Sequence, residues 1–160
     1  MGSSPLRNIT AADVVELFNA HSDIVNFGTS ENAVDDDWIR KAESTLGVKL
    51  TPSYVWFLKN YIGGEIGGEE IFSIYGIEFD QIHGGGDIVY QYLNAFKSGL
   101  NKSYQLDVSQ NDFGETFYFD YTKIDGQECP MYLKSPSGEE VFYAKDFYEF
   151  LFKRVLANCD

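Results

Sequence analysis

The sequence predicts a single α+β domain in which helices at the two ends flank a mostly antiparallel sheet. Apolar residues recur at helical spacing near both ends, whereas the middle of the chain holds short alternating segments separated by glycine. These segments follow one another without the regular strand–helix alternation of a parallel sheet. With 160 residues, of which 44% are apolar and 16% aromatic, the chain is long enough to bury a core without metal or disulfide support.

One domain is expected over residues 1–160, with a core from about residue 10 to 157 and a loose tail over residues 1–9. The predicted elements, in chain order, are a helix over residues 10–20, a short extended element at 27–28, two helices within 36–62, a strand over 70–75, a helix over 88–97 that Asp87 caps, strands over 104–108 and 116–121, a hairpin of 131–134 and 140–144, and a helix over 146–156. The hairpin register stays open, because large apolar side chains occupy both of its faces.

The two paired helices within residues 36–66 are the most informative stretch. The apolar stripe of the first helix recurs at helical spacing and consists of Ile39, Ala42 and Leu46, joined by Glu43. Gly47 follows as a helix stop. Thr51 is placed to cap the second helix, and Pro52 occupies its first position, where the missing N–H has no consequence.

At this stretch the sequence resembles the SUKH superfamily, whose Smi/Knr-type domain is found in many bacterial immunity proteins. The shared pattern is carried by Leu46, Gly47, Val48, Leu50, Pro52, Ser53, Tyr54, Phe57, Leu58, Gly63 and Gly64. A second match within residues 117–133 resembles the family's strand, Asp-Gly turn and strand leading to proline, and it includes Asp125, Gly126 and Pro130. The resemblance covers roughly residues 30–156 and implies a SUKH-like fold in which these residues are structural. Thr51 departs from the pattern, since many members carry a second proline there.

The resemblance also implies a function. Similar proteins are made beside a toxin and dock on it to block its activity, and many such toxins are nucleases with basic clefts. We therefore expect stoichiometric occlusion of a cognate basic toxin, with no turnover, no cofactor and no metal. A regulatory adaptor of the Smi/Knr type, which binds a host protein in a signalling or cell-wall pathway, is the alternative.

Charge supports a basic partner. The net charge is −13, residues 61–130 hold twelve acidic and three basic residues, and no Lys or Arg occurs between Lys59 and Lys97. Nucleic acid and anionic membranes are bound largely through Lys and Arg, so neither is an expected partner. Acidity that serves only solubility is the open alternative. The predicted partner-binding residues are Glu65, Glu69, Glu70, Glu78, Asp80, Asp87, Asp112 and Glu115.

Aromatic residues give a second indication of binding. The run over residues 117–121 contains Phe117, Tyr118, Phe119 and Tyr121, and one face of this strand is expected to lie in the core. Tyrosines on the other face are candidate interface anchors, because a phenol combines apolar area with a polar tip. Burial in the core is the competing interpretation for any one of the eleven tyrosines.

The spacing of the reactive residues does not favour catalysis. The chain lacks a Gly-x-Ser-x-Gly elbow, so the glycine run after His83 is expected to be a flexible turn. His21 and His83 are isolated, and the aspartates at 35–37 are expected to cap a helix rather than to bind calcium. A small hydrolase is the least favoured function, and its carboxylate pair would come from Glu69, Glu70, Asp112, Glu115 and Asp120.

Cysteine usage and hydropathy indicate a cytoplasmic protein. Cys129 and Cys159 show no CxxC or metal-ligand spacing, so two free thiols are expected, with Cys129 buried and inert. The first residues lack the apolar segment of a signal peptide, and no apolar run approaches the ~20 residues that span a bilayer. The sequence leaves the oligomeric state open.

Overall fold

The structure is a computed structural model that describes residues 8–82, 84–99 and 104–159. In chain order its elements are α1 (Ala11–Ala20), β1 (Val25–Phe27), α2 (Asp36–Leu46), α3 (Pro52–Tyr61), β2 (Gly64–Ile66), β3 (Glu69–Ile71), α4 (Ile88–Lys97), β4 (Gln105–Gln110), β5 (Thr116–Asp120), β6 (Met131–Lys134), β7 (Glu140–Ala144) and α5 (Phe147–Ala157). The predicted α+β class is confirmed. Residues 1–7 of the predicted tail lie outside the described residues. Ile9, which the prediction also assigned to the tail, is instead buried in the core.

The strands form one seven-stranded antiparallel sheet whose spatial order follows the chain from β1 to β7. On one face the register aligns four buried residues, Leu106, Phe119, Met131 and Ala144. Helices α3 and α5 pack on this face. The rings of Tyr54 in α3 and Phe147 in α5 each lie 5.9 Å from the ring of Phe119. The core is therefore built between one face of the meander and these helices.

Side-chain caps start the helices where the sequence places them. Thr10 and Asp13 complete a capping box at α1. Asp35 and Thr51 accept the backbone N–H three residues further on, at the starts of α2 and α3. Gly47 ends α2 in the left-handed region, with φ +75°. These contacts satisfy the N–H and C=O groups that helix ends leave unpaired, and they confirm the predicted boundaries to within about a residue.

The strand predicted over residues 70–75 is wrong in its second half. β3 ends four residues early, and Ser73 forms only an isolated bridge with Asp87. Backbone hydrogen bonds continue through the two residues after β3. Side chains add to them: the Tyr54 hydroxyl donates to the backbone carbonyl that follows β3, at 2.6 Å, and Asp87 accepts the N–H of Tyr75 at 2.9 Å. The alternating pattern could not reveal these distant partners.

The N-terminus of α3 joins three segments of the chain. The N–H and hydroxyl of Ser53 donate to the two carboxylate oxygens of Glu128, at 3.0 and 2.6 Å. The Ser53 hydroxyl oxygen accepts the N–H of Phe147 at 3.0 Å. One buried serine therefore ties α3 both to the loop before β6 and to the start of α5. Burial raises the pKa of Glu128, although its hydrogen bonds from Ser53 act in the opposite direction.

The residues of the predicted signature occupy core and turn positions. Five of the apolar members are buried, namely Leu46, Leu50, Tyr54, Phe57 and Leu58, and Val48 is partly buried against the core. Gly126 has φ +64° and lies in a turn closed by two hydrogen bonds between Asp125 and Glu128, at 2.8 and 3.1 Å. The carbonyl of Pro130 accepts the N–H of Asp120 at 3.1 Å, which aligns the loop with the end of β5.

Gly63 and Gly64 let the end of α3 run close to neighbouring strands. Their φ angles are +154° and +142°. A Cβ on Gly64 would lie 2.1 Å from the carbonyl oxygen of Asn26, and one on Gly63 would lie 2.6 Å from the side chain of Ser73. Both positions therefore require glycine, for backbone freedom and for space.

Gly64→Ala tests this close approach. The variant must move β1 away from β2, and we expect its free energy of unfolding to fall by at least about 3 kcal/mol. Gly68→Ala is the matched control, since Gly68 also has a positive φ, +87°, but no atom lies within 4 Å of its Cβ position. The control should lose only about 1 kcal/mol. Urea unfolding measures both variants. Equal losses of unfolding free energy would show that backbone strain, and not the close approach at Gly64, explains the two effects.

Glu128→Gln tests the half-buried carboxylate of Glu128 through the pH dependence of stability. Because folding raises the pKa of Glu128, the folded protein binds this proton more readily than the unfolded chain. The stability of the wild type relative to the variant should be highest below the ordinary glutamate pKa, about 4.3, and should fall as pH rises through the higher folded pKa. Urea unfolding of both proteins between about pH 4 and 7 measures this. A difference that rises with pH would contradict the assignment.

Candidate functional site

The predicted acidic residues differ in their exposure and in their partners. Glu65 of β2 and Glu70 of β3 lie directly opposite each other in the register, and both are exposed. Neither carboxylate forms an ion pair with any residue that the structure describes. Like charges that face each other across paired strands are destabilising, so this pair opposes the stability of its own hairpin. We name Glu65 and Glu70 the acidic hairpin.

Two other predicted residues are held inside the fold. Glu69 accepts hydrogen bonds from the Arg154 guanidinium at 2.6 and 2.7 Å and from the Asn158 amide at 2.7 Å, and only 11% of its side chain is exposed. Asp87 is fully buried and accepts the N–H groups of Tyr75 and Tyr90, both at 2.9 Å. These contacts correct the predicted surface, because neither carboxylate faces a partner.

Glu78 and Asp80 lie before α4. The Glu78 carboxylate receives both of its hydrogen bonds from the Lys41 ammonium, at 2.8 Å each, so its charge is partly neutralised. Asp80 is exposed and lines a shallow concavity with Leu93 and Lys97 of α4. Of this pair, Asp80 is the one whose carboxylate remains available to a basic partner.

Asp112 and Glu115 lie in the turn between β4 and β5. Asn111 organises this turn: its side-chain oxygen accepts the N–H groups of Phe113 and Glu115, at 3.1 and 3.0 Å, and its amide donates to the Glu115 carboxylate at 2.8 Å. Asp112 is exposed, and the Phe113 ring beside it is 81% exposed. The turn therefore presents one acidic and one aromatic side chain, and the register that sets Ile71 of β3 opposite Ser109 of β4 places it next to the start of β3.

The structure also shows a concave surface that contains none of the predicted partner-binding residues. It has a volume of about 390 Å³, and its lining residues, which we name the tyrosine surface, are Tyr104, Tyr118, Asp120, Thr122, Lys123, Tyr132 and Glu140. It lies on the sheet face opposite the core, because Tyr118 alternates along β5 with the buried Phe117 and Phe119. Of the tyrosines in the run over residues 117–121, only Tyr118 lines this surface, and 3% of this residue is exposed.

Cross-strand register builds this surface. Tyr118 of β5 pairs with Tyr132 of β6, which pairs with Phe142 of β7. The two tyrosine rings lie 6.0 Å apart with 27° between their planes, and Phe142 meets Tyr132 edge-on at 5.9 Å. Phe142 is 56% exposed at the edge of the sheet. The alternation was visible in the sequence, but the register that aligns the rings was not.

Hydrogen bonds fix the polar groups of the tyrosine surface. The Tyr118 hydroxyl donates to the Glu140 carboxylate. Burial raises the pKa of this phenol, and the Glu140 carboxylate adds to the effect. One oxygen of Asp120 accepts the N–H and hydroxyl of Thr122, at 3.0 and 2.5 Å. The Lys123 ammonium lies 4.5 Å above the ring of Tyr132 and 3.0 Å from its hydroxyl oxygen. The surface therefore combines the faces of aromatic rings, two carboxylates and the ammonium group of Lys123.

The carboxylates considered for glycoside hydrolysis do not converge where they share a strand. Glu69 and Glu70 are consecutive in a strand, so their side chains leave on opposite faces. Asp112 and Glu115 lie at one end of β5 and Asp120 at the other, which separates them by about 16 Å of strand. A catalytic pair needs carboxyl groups about 5 to 10 Å apart. These five residues therefore supply no such pair along β5 or β3.

The remaining reactive groups have structural surroundings. Cys129 and Cys159 are free thiols, and burial raises the pKa of Cys129 to about 12, so this thiol stays protonated and inert. His83 lies outside the described residues; in the glycine run after it, the Gly86 N–H donates to the Tyr75 hydroxyl. Within the described ranges, no three His, Cys, Asp or Glu side chains are grouped to hold a metal ion. The helices of those ranges are too short or too polar to cross a membrane.

A second concavity lies beside the connection between α2 and α3. It has a volume of about 350 Å³, and its apolar lining residues are Ile39, Leu50, Pro52, Val55 and Ile124. At its rim, Asp36 pairs with Lys59 at 2.6 Å, and Arg40 pairs with Asp37. The rim thus carries both signs of charge, and it offers no selectivity for a basic partner. Lys59 also does not neutralise the acidic hairpin.

Comparison with known families agrees with this architecture. The family described as SMI1-KNR4 cell-wall matches residues 36–151, which is more than half of the chain and includes both signature stretches. The chain has the α+β organisation of a SUKH domain, and it belongs to this SMI1-KNR4 family of the SUKH superfamily. A comparison with curated proteins found no match.

Adjacent residues of β3 allow a matched test of the corrected surface. Glu69→Gln leaves the Arg154 guanidinium buried without a counter-charge, so we expect the free energy of unfolding to fall by about 2 kcal/mol or more. Glu70→Gln removes one member of the like-charged pair and should leave stability unchanged or slightly higher. Urea unfolding of the two variants measures the contrast. A larger loss from Glu70→Gln would contradict these roles.

Proposed function

We propose that this protein is an immunity-type inhibitor that binds a cognate basic toxin in the cytoplasm and neutralises it by stoichiometric occlusion. SUKH domains generally act as immunity or binding proteins rather than as enzymes. A nuclease is the toxin class that fits best, because its substrate cleft must attract phosphate with basic residues. The proposed inhibition needs no cofactor and no chemical step.

The acidic hairpin is the observation that carries this proposal. Glu65 and Glu70 face each other without a basic partner in the described chain, within a protein of net charge −13. An acidic surface of this kind complements a basic cleft, accelerates association and competes with nucleic acid for the same residues. Asp80 and Asp112, both exposed, extend the negative potential. An interface of about 1,200–2,000 Å² is the size expected for such a complex.

A regulatory adaptor is the second candidate. The family description names the cell wall, which favours a role in which the domain binds a host protein of that pathway. Both candidates bind protein and perform no chemistry. They differ in the partner, since only the immunity protein needs a toxin produced by the same cell.

Co-expression tests the proposal. An adjacent reading frame should encode a basic toxic domain, and expression of that domain should arrest growth until this protein is co-expressed. Gly64→Ala, which is expected to be destabilised and to displace β1 from β2, serves as a control with reduced activity. Continued arrest with the wild-type protein present, or a host protein as the bound partner, would overturn the proposal in favour of the adaptor.

Charge reversal tests the acidic hairpin. Glu65→Lys with Glu70→Lys should slow association with the toxin by at least about tenfold at low ionic strength and flatten the salt dependence of the rate. Glu16→Lys with Glu31→Lys changes the net charge equally at exposed sites on α1 and before α2, and it should slow association by less than about threefold. Stopped-flow or surface-binding kinetics measure both. Equal slowing would show that net charge, and not this hairpin, attracts the toxin.

A further inference from the structure

We infer that the tyrosine surface is a binding site for an arginine side chain of the partner, and that Lys123 occupies this site in the free protein. The inference rests on the proposed function for the identity of the partner. The cation site itself can be tested without the partner. It assigns to the sheet face opposite the core a contact that is separate from the acidic hairpin.

The ring faces of this surface already bind cations. The Lys123 ammonium lies 4.5 Å above the Tyr132 ring, and the Lys134 ammonium lies 5.7 Å above the Tyr118 ring. An aromatic face attracts a cation through its quadrupole, and arginine is the residue most often found in such pairs. Because Lys123 is exposed and Tyr132 only half-buried, the Tyr132 ring is the face that an incoming side chain can reach.

The carboxylates of the surface keep acceptor capacity. Asp120 is only 8% exposed, and the hydrogen bonds from Thr122 reach one of its oxygens. Glu140 uses one oxygen for the Tyr118 hydroxyl. The second oxygen of each carboxylate accepts no hydrogen bond from the described residues, and no lysine there lies within ion-pair distance of either. Lys123 therefore contacts the ring and the hydroxyl of Tyr132 but forms no ion pair with Asp120 or Glu140.

A guanidinium satisfies these groups better than an ammonium does. It is planar, so it can stack on the Tyr132 ring, and its fork of N–H donors matches a carboxylate such as Asp120 or Glu140 in the same concavity. The volume of about 390 Å³ accommodates such a side chain. Two carboxylates against one exposed lysine disfavour a phosphate ligand, and the net charge of −13 disfavours a second copy of this chain.

The first test uses the full-length protein and a small probe, acetyl-Gly-Arg-Gly amide, followed by NMR. Its neutral control is the same peptide with citrulline in place of arginine. The arginine peptide should bind with a dissociation constant on the order of millimolar and shift resonances of Tyr118, Asp120, Tyr132 and Glu140, whereas the citrulline peptide should not. Equal shifts with both peptides, or shifts confined to the acidic hairpin, would overturn the inference.

Four variants test which side chains bind the arginine peptide. Lys123→Ala vacates the site, so the arginine peptide should bind about two- to fivefold more tightly. Lys97→Ala, which makes the same charge change at an exposed site on α4, should leave the affinity nearly unchanged. Tyr132→Phe keeps the ring and should retain binding, whereas Tyr132→Leu should abolish it. Weaker binding of the arginine peptide by Lys123→Ala would contradict the inference that Lys123 occupies the site in the free protein. Unchanged unfolding curves would show that each variant is folded.

The toxin, once co-expression has identified it, separates this inference from the proposed function. Lys123→Ala should tighten the complex about two- to fivefold, and Tyr132→Leu should weaken it at least about tenfold. If Tyr132→Leu binds and neutralises the toxin as well as wild type does, the arginine site is wrong while the proposed function stands. If the arginine peptide binds at Tyr132 but no toxin is neutralised, the site stands and the proposed function fails.

Discussion

The hydrogen bonds between the buried Ser53 and the half-buried Glu128 fix the positions of the elements on which the rest of the fold depends. They set the start of α3 against the loop before β6, and the same serine accepts the first free N–H of α5 from Phe147. The next residue, Tyr54, is fully buried among aromatic rings, and its hydroxyl holds the backbone after β3. A buried polar group without a partner is costly, so these contacts form together or not at all. The family signature is therefore a description of the core and its turns, which is why it identifies the fold and not the partner.

Strand alternation separates the structural and binding roles of the sheet. Glu65 and Glu70 each precede a buried isoleucine in their strands, and Tyr118 lies between two buried phenylalanines. One face of each strand thus builds the core, and the other presents charge or rings. Substitutions on the face opposite the core can change the surface chemistry without loss of the fold.

Local signals made much of the fold predictable. The caps at Thr10, Asp35 and Thr51 act within three residues, so the sequence placed the helices correctly. The charged residues depended on distant partners instead. Glu69 and Glu70 are adjacent and chemically alike, yet Arg154, 85 positions away from Glu69, buries the first and leaves the second exposed. The tyrosine surface likewise depends on the register of β5, β6 and β7, which alternation leaves undetermined. Asp87 illustrates both cases: its cap was predicted correctly, but its burial excludes the surface role also assigned to it.

The proposed immunity protein would act by occupying a basic site on the toxin, with no chemical step. Titration of the toxin's activity with increasing amounts of this protein tests that claim most directly. Inhibition by occupation predicts that activity falls linearly, reaches zero at one molecule of inhibitor per toxin, and returns in full when the complex is dissociated. Complete inactivation at a small fraction of one equivalent, or activity that stays lost after separation, would mean that the protein modifies its partner chemically and would contradict the account.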